Sequence, residues 1–169
     1  MLGAGSLLLV ALIGLTAWWV LRVGGDDRPL ERTARTPGGA LTFTVPASWR
    51  TLPCPADEGD CLRVTSPDMT EAEAATVSFL PPDPVDGTPV DALVNPDVTV
   101  PGSTSVTVDG LPATRIDPDE AQGQDAILVA GRARTAVGHA FMVLCPVGGE
   151  IERSQAMCDQ ILGTLEVTR

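Results

Sequence analysis

The 169-residue chain has no tyrosine, a single histidine and no charged side chain before Arg22, and all 11 of its basic residues are arginine. Each absence closes a route. Without lysine there is no serine–lysine pair. A serine triad would have His139 as its only base and would lack the G-x-S-x-G elbow. His139 falls in a strand-like run, Val137 to Leu144, where a lone histidine is read as a packed or edge residue. The four cysteines, Cys54, Cys61, Cys145 and Cys158, form no C-x-x-C pair, so neither a zinc ribbon nor a thioredoxin-like site is expected. No metal site and no cofactor are predicted. Against 22 acidic residues, the arginines leave a net charge of −11, a surface that repels phosphate backbones and excludes a nucleic-acid partner.

What is present begins with the apolar run Met1 to Leu21. Wound as a helix at about 1.5 Å per residue, it reaches roughly 30 Å, the hydrocarbon thickness of a bilayer. Trp18 and Trp19 stand where an interfacial aromatic belt would be, and Arg22 follows. The run has no basic start and no A-x-A exit, so it is read as a retained transmembrane helix rather than a cleaved signal. The sequence thus divides into a transmembrane anchor over 1–22, a linker over 23–39 and one domain over 40–169.

Within the domain, Leu41 to Val45 alternates apolar and hydroxyl side chains and predicts a half-buried strand facing inward at Leu41, Phe43 and Val45. Pro46 ends it, and Trp49 is read as a core plug. Further strands are predicted near Leu62 to Thr65 and from Ala75 to Leu80. The proline-rich stretch Pro81 to Gly102 follows, with one short helix signalled by Thr88, Pro89 and Asp91, and is the first candidate for a partner-facing surface. Asp109-Gly110 predicts a two-residue hairpin between Ser105–Val108 and Leu111–Ile116. Ala126–Arg134 and Thr135–Cys145 read as long strands, the second a central one. Glu150 to Leu165 reads as a helix with Ile151, Cys158, Ile161, Leu162 and Leu165 along one stripe.

Three connectivities are open to the cysteines. Cys54 with Cys61 and Cys145 with Cys158 is favoured over four free thiols, because each pair brackets a short loop or strand-to-helix turn. Closing loops of that length stabilises by about 2.5 and 3 kcal/mol in the chain-entropy model. Candidate binding residues are Arg115, Arg132 and Arg134, which fall on neighbouring predicted strands and could grip a carboxylate or phosphate; internal pairing with acids is the competing reading.

The order of elements resembles the PsbP-like fold of small bacterial envelope lipoproteins of the LpqN type. The pieces that carry this are Leu41-Thr42-Phe43-Thr44-Val45-Pro46-Ala47-Ser48-Trp49, Asp109-Gly110-Leu111-Pro112-Ala113-Thr114-Arg115, and Cys145 with the closing helix. The resemblance implies an α+β domain, an antiparallel sheet packed against helices, outside the cytoplasm and engaged in protein binding rather than catalysis. This chain lacks the lipid-acceptor cysteine, so attachment rests on the anchor. Orientation is contested: the arginines after the run place the domain in the cytoplasm by the positive-inside rule, whereas paired cysteines place it outside. The cysteines and the resemblance decide for the outside, since a start upstream of Met1 would change the arginine count. The expectation is a membrane-anchored, non-catalytic envelope module with a protein partner. The alternatives are an envelope hydrolase using His139 and the acidic loops, and a small-molecule binding domain.

Overall fold

The computed structural model describes residues 30–55, 59–82, 100–119, 124–134 and 138–168. Two antiparallel sheets dominate. The larger has seven strands in the order β3-β4-β5-β9-β8-β7-β6, from β3 (Arg50–Leu52), β4 (Asp60–Thr65), β5 (Ala75–Leu80), β6 (Ser103–Val108), β7 (Leu111–Ile116), β8 (Ala126–Arg132) and β9 (Ala140–Pro146). The smaller joins β1 (Glu31–Arg35), β2 (Leu41–Pro46) and β10 (Glu166–Val167), with β2 in the middle. The one α-helix among the described residues, α1 (Ile151–Leu162), packs on β9, β8 and β2.

This corrects the α+β expectation of an antiparallel sheet packed against helices. The domain is mostly β, because the segments between prolines and glycines are short, rich in Val, Thr and Ile, and find strand partners instead of helical ones. No helix among the described residues is long and apolar enough to cross a membrane. The apolar run 1–21 and the short helix predicted after Thr88 lie outside the described residues. β1 occupies part of the segment read as linker and pairs with β2 from Glu31↔Pro46 to Arg35↔Thr42, so ordered structure reaches back past Ala40.

The core lies between the inner face of the large sheet and the layer made by β2 and α1. β2 buries Leu41, Phe43 and Val45, as its alternation requires. They meet Val64, Val77, Ile127, Val129, Phe141 and Val143 from the large sheet. Trp49 packs against this cluster from the strand exit. β9 is the central strand, between β5 and β8. Its inner residues Phe141, Val143 and Cys145 are buried, while Met142 and Leu144 on the other face are half-buried, so the two faces are not equally covered.

Cys158 and Ile161 of the predicted stripe are buried, as is Leu165 beyond the helix, and Leu162 packs against the core; Ser154 and Met157 are buried as well, and Ile151 stays 43% exposed. Cys145 and Cys158 form a disulfide that pins α1 to β9, with Cα atoms 6.0 Å apart, and the Ser154 hydroxyl donates to the Pro146 carbonyl at 2.9 Å beside it. Cys54 and Cys61 form the other disulfide, also with Cα atoms 6.0 Å apart. The helix stops at Leu162 rather than Leu165, because Thr164 turns its hydroxyl and backbone to other work. Its Oγ1 accepts the Thr44 N–H at 3.0 Å, and the chain then extends so that Val167 pairs with Leu41.

Candidate functional site

Arg115 does not converge with Arg132 and Arg134. Side chains alternate across a strand, and Arg115 stands opposite Val129 on β8, which places it on the inner face with the core. Arg132, three positions along β8 from Val129, projects from the other face and is exposed. Arg134 lies past the end of β8, where its Nη2 donates to the Asp109 carbonyl at 2.7 Å and so reaches the β6–β7 turn.

Arg115 is held by acids of this chain. Its Nε donates to Asp117 Oδ1 at 2.7 Å and its Nη1 to Asp159 Oδ1 at 3.0 Å, tying β7 to α1. Partial burial pulls the guanidinium pKa down, but the hydrogen bonds and charges of Asp117 and Asp159 outweigh it and the net displacement is upward. The charge and two of the five N–H donors thus go to joining the helix to the sheet. The signal was present in the sequence: Arg115 and Asp117 stand two apart and share a strand face. Asp159 could be found only once the helix had been docked.

His139 stacks on Phe79, with ring centroids 5.1 Å apart and planes at 15°. Its Nδ1 is buried with no hydrogen-bond partner among the described residues. Its backbone carbonyl accepts the Ala133 N–H at 2.9 Å, which carries the β8–β9 ladder past the strand ends. The imidazole belongs to the packing of that end of the sheet.

A groove of about 590 Å³ opens at the other end of the β6–β7 hairpin, lined by Val100, Pro101 and Gly102 on one side and by Ile116, Asp117, Pro118, Asp119 and Gln124 on the other. Asp119 and Gln124 hold its outer wall by exchanging two backbone hydrogen bonds of 2.9 Å. Asp117 and Asp119 line the groove, the first of them ion-paired with Arg115, and His139 is not among its lining residues. Val100 to Gly102 are the last residues of the proline-rich stretch read from sequence as partner-facing, of which 83–99 lie outside the described residues. Ile116 and Gln124, on the groove's other wall, had no signature in the sequence, since the wall exists only through the Asp119–Gln124 bridge. No group of His, Cys, Asp and Glu able to hold a metal ion occurs among the described residues.

A seven-stranded antiparallel sheet, a packed α-helix and a small second sheet define a PsbP-like fold. The chain is similar in structure to cyanobacterial PsbP (CyanoP) from Synechocystis sp. PCC 6803, with a TM-score of 0.54 and 12% identity over 85% of this chain and 96% of that one. At that identity the likeness shows the fold alone. A crystal structure from Bacteroides thetaiotaomicron VPI-5482 overlaps 82% of this chain and 48% of its own at 12% identity; its TM-score of 0.45 is too low to carry an argument. No protein-family model and no curated protein matches the sequence.

Proposed function

We propose that the chain is a non-catalytic accessory module of the cell envelope, held at the membrane by its apolar leading run, with the domain on the extracytoplasmic side and a protein partner seated in the groove at the base of the β6–β7 hairpin. The groove carries this reading. It sets Val100, Pro101, Ile116 and Pro118 along one opening, which suits a partner segment presenting apolar side chains, and it does so apart from His139, so that base and acids are not gathered as hydrolysis would require. The PsbP-like fold supports an accessory role, and the resemblance of segments 41–49 and 109–115 to LpqN-type lipoproteins supports the envelope. Two disulfides support an oxidising compartment. The arginines are not assigned the partner, because Arg115 is occupied by Asp117 and Asp159.

A photo-crosslinking residue in place of Pro118, in the full chain in intact cells, should capture a protein, whereas the same residue at exposed Thr33 on β1 should not. Equal capture at both positions, or none at Pro118, would remove the groove from the account. Protease added outside the cells should degrade the domain; complete protection would reverse its orientation. A second reading has the groove's size behind it, since its volume lies in the range of small-molecule sites. Loss of protein capture at Pro118 on adding a small-molecule extract would favour that reading.

A further inference from the structure

Among the described residues four strands end the two sheets, and three of them are guarded. β10 is two residues long, and the Asp109 carboxylate takes its outward Val167 N–H at 3.0 Å. β1 carries Glu31, Arg32 and Arg35. β3 has only three residues, begins with exposed Arg50 and is followed by Pro53. Shortness, charge and proline are the usual means of keeping an edge from pairing with another chain. β6 has none of them: it is Ser-Thr-Ser-Val-Thr-Val, six residues without charge or proline, exposed at Thr104, Ser105 and Thr107.

The hairpin fixes which backbone groups that edge presents. The two-residue turn makes Val108 and Leu111 a hydrogen-bonded pair, so by alternation Val106 and Thr104 also bond to β7, and Ser103, Ser105 and Thr107 point theirs outward. The Ser103 N–H is taken by the Val100 carbonyl at 3.1 Å. The N–H and C=O of Ser105 and Thr107 and the C=O of Ser103 face away from the sheet.

We propose that β6 pairs antiparallel with β6 of a second copy about a twofold axis at Ser105, continuing the two large sheets into one. In that register Ser105 exchanges both hydrogen bonds with its copy, and each Thr107 N–H donates to the Ser103 carbonyl opposite. Ser103 faces Thr107 and Thr104 faces Val106 across the axis, neutral pairs of hydroxyl and β-branched side chains that suit a pleated sheet. The register also sets Asp109 opposite Pro101 instead of another acid, so the strand meets itself without like charges in direct opposition. The remaining obstacle is long-range repulsion between two chains of net charge −11, which salt screens. The pairing therefore tightens as ionic strength rises. It does not rest on the groove reading, because the groove and the strand edge are tested by different readouts and fail separately.

The test is sedimentation equilibrium of the full chain in mild detergent. The expected result is a concentration-dependent dimer whose population grows with salt. Ser105→Pro removes an outward N–H while leaving the bonds to β7 in place, and Ser105→Lys sets like charges face to face on the axis; each should raise the dimer Kd by about tenfold or more. As a check that leaves the edge otherwise intact, Ser105→Cys should be joined to its own copy by a short bismaleimide, whereas Thr51→Cys on the guarded edge should not. A chain that stays monomeric at hundreds of micromolar, a dimer unchanged by both substitutions, or equal cross-linking at both positions would overturn the proposal.

Discussion

The two ends of the seven-stranded sheet are built by different means. At one end β3 is short, charged, stopped by Pro53 and stapled next door, where Cys54 bonds to Cys61 on β4. At the other end β6 is twice as long, uncharged and joined by its hairpin to β7, with Val108 buried in the core. Both ends join the rest of the molecule through side-chain hydrogen bonds, and only the first carries a disulfide of its own. Asp60, at the start of β4, accepts the Thr36 hydroxyl at 3.1 Å and the Gly38 N–H, which ties that end to the β1–β2 turn. The β6–β7 end is tied through Arg115 to Asp117 and Asp159, Asp109 to the Val167 N–H, and Arg134 to the Asp109 carbonyl. A disulfide constrains one end whatever the solvent, whereas ion pairs and side-chain hydrogen bonds leave the other adjustable. An edge meant for pairing gains from the second arrangement, since neither a staple nor a charge has to be displaced.

The largest effect should come from Gly131, which joins the β6 end to the middle of the sheet. A Cβ there would stand 2.6 Å from Phe141 Cζ on β9 and 2.8 Å from the Pro112 carbonyl oxygen on β7. The ring is fully buried and the carbonyl is backbone, so neither gives way cheaply. Gly131→Ala should cost about 3 kcal/mol, the upper part of the overpacking range, read as a lower denaturation midpoint. Hydrogen exchange should show the amides of β6 and β7 losing protection while those of β4 and β5 keep theirs. Uniform loss across the sheet would mean that the two ends are one cooperative unit.

Next in size is the staple itself. Cys54→Ala with Cys61→Ala should cost about 2.5 kcal/mol in the chain-entropy model, with the exchange pattern reversed: β3 and β4 loosen and β6 does not. Dimerisation should be unaffected. A change in dimer population would show that the ends communicate, and would weaken the division drawn between them.

How far each end could be read from sequence follows from the range of its interactions. The Asp109-Gly110 turn was legible because its chemistry is local: Asp109 has φ of 49° and Gly110 of 70°, the left-handed values that such a dipeptide accepts. The β2 alternation and both disulfide pairings were legible for the same reason, each resting on neighbours in the chain. β3 and β10 were not, because strands of three and two residues show no period and exist only by pairing with β4 and β2. β1 hid in a charged segment that resembled a connector, and only its ladder with β2 makes it a strand. The arginine cluster failed on a matter of parity. Neighbouring strands were legible, but the register that puts Arg115 and Arg132 on opposite faces is a tertiary fact.

The smallest predicted effect separates the two ends by pH. Between β4 and β5, on the stapled side, Glu73 closes a capping box: its Oε2 accepts the Thr70 N–H and the Thr70 hydroxyl, each at 2.8 Å. The hydrogen bond from the Thr70 backbone, followed by that from its hydroxyl, holds the Glu73 carboxyl below its ordinary value; the Ser66 hydroxyl acts first in doing the same for Asp68. A folded-state value below the unfolded one means that the contribution is complete above the ordinary carboxylate range and disappears as pH falls through the lowered value. Asp68 is exposed and Glu73 half-buried at the surface, so the effect is small and salt-sensitive. Glu73→Gln keeps an acceptor for the Thr70 N–H but cannot titrate. Stability should then be nearly unchanged at neutral pH, with a flatter decline on acidification, measured as the denaturation midpoint at stepped pH. Lost protection on acidification should begin in the amides of the β4–β5 connection and be delayed in the variant. An acid limb of the same slope in both proteins would mean that the box contributes nothing and that acid sensitivity is carried elsewhere.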